Sequence, residues 1–407
     1  MIKKVGNMSK KTNINPPKGD GSSSKRAFLI FTSVFLGIIL LAGIIIGTVA
    51  IVRNARAVMK YKGIYLNEGV ANYISATYKY DFIKSLKRLG IECYDDETFW
   101  QSEAEDGVTY ASLLEENTER YLKRVIIGAY LFDRNAKLTK DDKDTIKRSV
   151  SEVLDYKAGG DKERFNEMGK EAGFTFRDFE KAAELLYKYE MAETVIFGLE
   201  GTALEYGDFS EECDEFFSQN YSHVKLMFIR TDGRVVTDSE TGKEEVFEYT
   251  DAERAEVEAR IEEIRTLIAN GWMDEGTFDD FVNIEFNTGT VNDTEGYYFS
   301  ALSSYTHEFA DGAPEVVKTA LKMKTGEYME EPYEFGVCFI YKCELEEGAY
   351  SRIGIAHFFG DFYSNAASYI YSKSVDAFLS DVVVKDKYNK AAIVTKPYNY
   401  ELYVIFG

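Results

Sequence analysis

FGVCFIYK, residues 335–342, is the stretch on which the reading of the fold turns. Val337, Phe339 and Tyr341 alternate with Cys338, Ile340 and Lys342, the period-two pattern of a strand. Pro332-Tyr-Glu334 precedes it as a turn, and the acidic break at 344–348 follows. On this pattern Cys338 takes an outward position. The segments before it read as a small α+β unit. Residues 224–230 form a second strand, and 231–249 a hairpin-like insertion with turns at Asp232-Gly233 and Thr241-Gly242. Thr250-Asp-Ala-Glu253 is a capping box that opens a helix to Ala269, stopped by Asn270-Gly271. A short helix around 278–281, a strand at 296–299 and a helix at 315–323 complete the order β–α–α–β–α–β. The expected result is a four-stranded antiparallel sheet over 224–345, with Leu226 and Cys338 on adjacent strands.

On either side the period changes to that of helices. Residues 70–89 carry Val70, Tyr73, Ile74, Tyr78, Phe82 and Leu86 at helical spacing, and 113–131 repeat the pattern. Thr139-Lys-Asp-Asp142 resembles a capping box, and its helix ends at Gly159-Gly160. A short helix over 162–172 stops at Gly173. The helix over 176–199 aligns Phe179, Ala182, Ala183, Leu186, Tyr187 and Met191, a stripe suited to a core or a peptide-facing groove rather than a cofactor. Ser210 is read as the cap of a short acidic helix to Phe217. After Gly348 a helix runs over 359–379, and apolar strand-like runs follow at 391–394 and 400–406. The late helix must bury its stripe. The early helices are the available partner, which makes that domain discontinuous.

Composition sets the compartment. Residues 27–52 hold no charge, and 26 apolar-rich positions exceed the roughly 20 that a spanning helix needs. A cleaved signal peptide has an apolar core of only about 7–15 residues, so a signal-anchor is expected. The 407-residue chain has a net charge of −21, divided unevenly. Residues 1–56 carry nine Lys or Arg and one Asp, so the rest carries −29. The whole basic tail places the N-terminus in the cytoplasm by the positive-inside rule, and the body outside. So acidic a body excludes nucleic acid as a partner, because phosphate binding needs a basic face. Gly43-Ile-Ile-Ile-Gly47 is a small-xxx-small pattern of the kind that pairs spans, so a homodimer is an expectation. Cys93, Cys213, Cys338 and Cys343 show no metal spacing, and neither a metal nor a cofactor is expected. A Cys93–Cys213 bridge stays open, whereas Cys338 and Cys343 are poor partners for each other.

These pieces together resemble the exported foldases of PrsA and SurA type. In that family a parvulin-type peptidyl-prolyl isomerase domain is inserted in a helical chaperone domain. Met59-Lys-Tyr-Lys-Gly-Ile-Tyr-Leu-Asn67 looks like the family's opening hairpin, and Val224-Lys-Leu-Met-Phe-Ile-Arg-Thr231 like the first parvulin strand. Residues 278–285 with Gly296-Tyr-Tyr-Phe299 resemble the middle of the domain. Residues 314–327, ending Lys-Thr-Gly-Glu, resemble its last helix, and Phe335-Gly-Val-Cys-Phe-Ile340 its last strand. With the basic tail (1–26) and the transmembrane signal-anchor (27–52) read from composition, the resemblance, which covers about residues 57–380, implies an α+β fold with a helical chaperone domain (53–218), a parvulin-like domain (219–348) and a completing segment (349–407). It implies unfolded exported polypeptides as partners and a Gram-positive cell membrane as the location.

The groove positions depart from the family. The two strand histidines fall on Leu226 and Cys338, the pocket's Met and Phe on Gly312 and Val316, and the middle Cys or Asp near Gly289. Sliding the register to recover His223 would flip the strand's faces. His307 and His357 are read as loop and surface residues. The expected function is therefore a membrane-anchored foldase-chaperone with a degenerate parvulin-like domain. The alternatives are an active isomerase with an atypical groove and a non-enzymatic anchored scaffold.

Overall fold

The computed structural model describes residues 55–206, 209–237, 243–285 and 296–395. The expected span at 27–52, Gly289 and the run at 400–406 lie outside them. Among the described residues no helix is long and apolar enough to cross a membrane. The fold is mixed α+β and mostly helical.

The chain enters as a hairpin, β1 (Ala57–Tyr61) and β2 (Ile64–Asn67), before α1 (Glu68–Arg88). Asn67 caps α1 by accepting from Val70 N at 2.8 Å, so this helix begins two residues before the apolar spacing does. The short α2 (Glu97–Gln101) and the β3–β4 ribbon (Glu103–Glu105, Val108–Thr109) lead to the long α3 (Tyr110–Asn135). Next come α4 (Lys140–Ala158), α5 (Lys162–Gly169) and α6 (Phe176–Phe197). The Thr139–Asp142 capping box forms, and Gly159 ends α4 in the left-handed region at φ 64°. Thr175 and Asp178 form a second capping box, which pattern reading passed over. After α7 (Thr202–Tyr206), helix α8 (Ser210–Asn220) starts without a side-chain cap, with Phe209 in the cap position. Ser210 is thus the first helical residue, not the cap expected of it.

The second half is built on a sheet. Its strands are β5 (Ser222–Arg230), β8 (Tyr297–Phe299), β9 (Tyr328–Tyr333) and β10 (Gly336–Lys342), ordered β8-β5-β10-β9 and antiparallel throughout. Strands β6 (Gly233–Thr237) and β7 (Glu244–Glu248) make the expected hairpin after β5. Helices α9 (Asp251–Ala269) and α10 (Glu275–Glu285) follow it, and α11 (Ser304–Gly312) and α12 (Pro314–Ala320) come after β8. The expected Pro332 turn is instead part of β9, an edge strand, where a missing N–H costs no ladder bond. Gly336 lets β5 and β10 approach, since a Cβ there would lie 2.0 Å from Ile229 O.

Beyond β10 comes α13 (Phe362–Ala377), which lies against α8, α6 and α3. Phe216 and Phe362 meet with ring centroids 5.5 Å apart, and Arg120 and Arg124 of α3 both hold Asp376 of α13. The chain then returns to its start. Strand β11 (Val383–Val384) pairs with β1, Met59 opposite Val384. The run at 391–394, expected as a strand, is a helical turn, α14 (Ala392–Thr395). It is fixed from outside itself. Lys79, fully buried on α1, donates to Val394 O at 3.3 Å while paired with Asp95 at 2.6 Å. One continuous core joins Val58, Leu66 and Ile74 near the start to Phe362, Val375 and Ile393 near the end.

Candidate functional site

Both faces of the sheet are covered, and this decides what the expected groove positions can do. Odd-numbered residues of β5 and β10 face α9 and α10. There Met227, Ile229 and Phe339 pack with Ile261, Ile264 and Phe278. Even-numbered residues face α11 and α12. Leu226, Cys338 and Ile340 pack with Phe299, Val316, Val317 and Ala320. Cys338 is therefore not outward but fully buried. Alternation along a strand reports its period and cannot say which side meets water, or whether either does.

The structure brings three of the five groove positions together. Leu226 lies opposite Ile340 and Cys338 opposite Phe228, so Leu226 and Cys338 are diagonal neighbours on one face. Val316 of α12 closes over them at 0% exposure. Gly312 is not among them. It ends α11 at the surface, where an added Cβ would meet nothing within 4 Å. Gly289 lies outside the described residues. Aromatic rings fill the surroundings. Phe228 meets Tyr333 at 5.0 Å, and Phe299 meets Phe309 at 4.9 Å. What the resemblance implies to be a groove is, at Leu226, Val316 and Cys338, apolar interior.

The electrostatics agree with that geometry. Burial pushes the Cys338 thiol far above its ordinary value, and nearby Glu331 adds to the shift. The thiol donates weakly to Phe339 O at 3.6 Å, and the backbone of Met227 also lies within its reach. A protonated thiol in apolar surroundings is neither a nucleophile nor a strong hydrogen-bond partner. Cys93 and Cys213 are pushed up to about 11 and Cys343 to about 12 by the same cause, and all four cysteines are free and buried. The Cys93–Cys213 bridge left open by the sequence is absent. His223 points away from this face. Its ring stacks on Tyr298 at 4.4 Å, and Nδ1 lies 2.9 Å from Glu344 O. His307 sits on α11 rather than on a loop, and both it and His357 are exposed. Among the described residues no group of three His, Cys, Asp or Glu side chains is placed to hold a metal ion.

Besides Lys79, two buried lysines of the sheet escaped the sequence reading because nothing local marks them. Lys225 on the α10 side of β5 holds Glu275 at 2.9 Å and Asp279 at 2.6 Å. Lys342 on the α12 side is lowered to about 8 by burial, and its Nζ donates to Ala320 O, the C-terminal carbonyl of α12, at 3.4 Å.

An open cleft lies elsewhere, on the helical half between α4 and α6. It has a volume of about 450 Å3. Leu138, Ile146, Val150, Leu154 and Phe176 give it an apolar floor, and Lys143, Lys147 and Lys162 stand at its edge with Glu180 and Glu184. Phe179, Ala182 and Leu186 of the α6 stripe are buried in the core behind it, which answers one of the two readings of that stripe.

Solved structures resembling this chain are foldases. PrsA from Bacillus subtilis matches over 73% of this chain and 94% of its own, at 15% identity and a TM-score of 0.19. The peptidylprolyl isomerase PrsA from Bacillus anthracis matches over 64% and 98%, at 13% identity and 0.22. The foldase protein PrsA from Lactococcus lactis matches over 83% and 97%, at 13% identity and 0.20. No family model and no curated protein matches the sequence.

Proposed function

We propose that the protein is a membrane-anchored, extracytoplasmic chaperone of the foldase type, whose parvulin-like domain is a structural module rather than an isomerase. The observation that carries this reading is the contrast between two sites. At the isomerase positions Leu226, Val316 and Cys338 are closed interior, while the cleft between α4 and α6 is open with an apolar floor. Proline isomerisation must lower a barrier of about 18–20 kcal/mol by holding the ring in a pocket beside polar groups. Leu226, Val316 and Cys338 offer neither an opening nor a polar pair. An apolar cleft with charged edges suits short apolar segments of an unfolded chain, because the floor covers the apolar side chains while the edges stay wet.

The test uses the full chain in detergent or lipid discs. It is expected to suppress aggregation of several unrelated unfolded proteins at stoichiometric amounts. It is expected to leave the exchange of a short Xaa-Pro peptide at its uncatalysed rate, tens to hundreds of seconds. Ile146→Asp, a charge placed on the half-buried cleft floor, should cut the suppression severalfold at a temperature where the variant is still fully folded, its melting temperature falling by what the lost contact with the core costs. Catalysed exchange abolished by Cys338→Ala would replace this reading with that of an enzyme. Protection of a single partner only would replace it with that of a scaffold.

A further inference from the structure

The acidic body carries a basic face at the point where the chain enters it. Ala55 and Arg56 are helical and lead straight into β1, and Ala57 is fully buried. No linker separates the apolar stretch from the folded body. Residue 52 ends that stretch, and three residues of extended chain to Ala55 cover at most about 10 Å. If residues 27–52 span a bilayer, as the proposed function has it, the β1–β2–β11 sheet is held against the membrane surface.

That sheet gathers cations. Lys60 on β1 lies opposite Val383 of β11. Lys385 N donates to Val58 O at 2.9 Å, which sets Lys385 beside the same strand. Lys387 Nζ donates to Ala55 O at 2.7 Å, at the entry itself. Desolvation, and after it the charges of Lys387 and Lys60, push the Lys385 ammonium below its ordinary value, in keeping with the strand pairing that sets Lys60 and Lys385 on one face. Lys62 stands at the hairpin tip at φ 39°, its Nζ 5.0 Å from the Tyr61 and Phe378 rings. Lys60, Tyr61, Lys62, Tyr65, Asp381 and Val383 line an open depression of about 450 Å3. Acidic groups stand here too: Asp381 lines the depression with Lys60 and Lys62, exposed Glu68 lines a neighbouring hollow with Lys387, and Asp386 lies between Lys385 and Lys387 in the chain.

We propose that the β1–β2–β11 face is a docking surface for the anionic headgroups of the bilayer, in which Lys60, Lys385 and Lys387 hold lipid phosphates and fix the body's orientation on the membrane. Charge complementarity supports it. A body of net charge −29 is repelled as a whole by an anionic surface, and the cations of this face oppose that repulsion where the chain enters. Screening limits such attraction to about 8 Å at physiological ionic strength, so only residues held at the surface by the entry point can use it. Half-exposed Val383 and partly exposed Tyr65 beside the lysines give the face the amphipathic character of a membrane interface.

The experiment uses the full chain in lipid discs of phosphatidylcholine alone or with phosphatidylglycerol. Its lysines are acylated briefly with a water-soluble reagent and read by mass spectrometry. Lys60, Lys385 and Lys387 are expected to label severalfold more slowly in the phosphatidylglycerol discs. High salt should abolish the difference, and Lys147 and Lys162 at the far cleft should label alike in both. In the Lys60→Glu, Lys385→Glu, Lys387→Glu triple variant, Lys62 should label equally in the two lipids. Equal labelling of the native patch in both discs overturns the proposal while leaving the anchor intact. Protection that ignores lipid charge and vanishes at one chain per disc overturns it in favour of a second copy of the chain. A chain that an alkaline wash strips from both discs sinks the anchor reading, and this proposal with it.

Discussion

Cys338 and Lys342 stand two pleats apart on one face of β10, and both are consequences of closing that face. A histidine at 338 would place a polar ring among Leu226, Val316 and Ile340 with no opening to water. Cys338→His is therefore expected to destabilise the protein by about 2 kcal/mol or more, read as a shift in the urea midpoint. An unchanged midpoint would mean that the position opens to solvent and that the groove exists after all. Lys342 gives the complementary test. Its folded value of about 8 lies below its ordinary 10.5. Below pH 8 both folded and unfolded chains hold the proton, and the folded state bears the full cost of a buried ammonium. Between pH 8 and 10.5 the unfolded state holds more protons, so stability rises with pH until the cost is gone. Lys342→Met should thus stabilise the protein at pH 7 by on the order of 1–3 kcal/mol, less whatever the bond to Ala320 O contributes. The gain should shrink towards zero above pH 10.5. A gain independent of pH would assign it to packing instead. Neither residue's surroundings were legible in FGVCFIYK, because burial of a strand's second face depends on α11 and α12, elements distant in the chain.

At the scale of elements, what was legible is what is fixed locally. Thr139 and Thr250 announce their helices because the capping box closes within four residues, whatever the rest of the chain does. The Thr175 box, with Asp178 standing where the Thr139 box has Asp142, was equally local and equally legible, and was passed over. Elements fixed by distant partners were missed. Strand β9, Tyr-Met-Glu-Glu-Pro-Tyr, has turn-like composition and owes its conformation to the ladder of β10. The run at 391–394 has strand composition and is bent into α14 beside Lys79. The local elements should be correspondingly easy to weaken. In the Thr250 box the side-chain oxygen accepts from Glu253 N at 3.3 Å, and Glu253 Oε2 accepts from Thr250 N at 2.8 Å. Thr250→Ala removes the hydroxyl half, leaves the bond from the backbone N–H of residue 250 to Glu253 in place, and should cost about 1 kcal/mol. Hydrogen exchange should localise the loss to the first turn of α9. A loss spread evenly over the sheet would show that the cap stabilises the domain rather than the helix.

At the scale of the whole molecule, the decisive fact is that one core draws on both ends of the described chain. Residues after 349 supply Phe358, Phe359, Phe362, Ile370, Tyr371, Val375 and Ile393 to the cluster that holds Val58, Leu122 and Phe217. Phe217 alone meets Tyr350, Phe359 and Phe362 with ring centroids 5.4, 5.8 and 6.1 Å away. Burying a large apolar side chain is worth about 1.5–3 kcal/mol, so seven of them together rival the whole stability of an ordinary domain, roughly 5–15 kcal/mol. The sheet stands differently. Its two apolar clusters, around Leu226 and around Met227, are drawn from within residues 224–340. Truncation after residue 348 should accordingly separate the two halves. The helices of 68–220 are expected to lose their cooperative melting transition and bind an apolar dye, while amides of β5 and β10 remain protected from exchange. The same helices should recover when a peptide covering 349–395 is added in excess, since it restores the missing side of the core. A truncated chain that melts like the full one would mean that the early helices close on themselves, and that the late helix is an ornament on a finished domain.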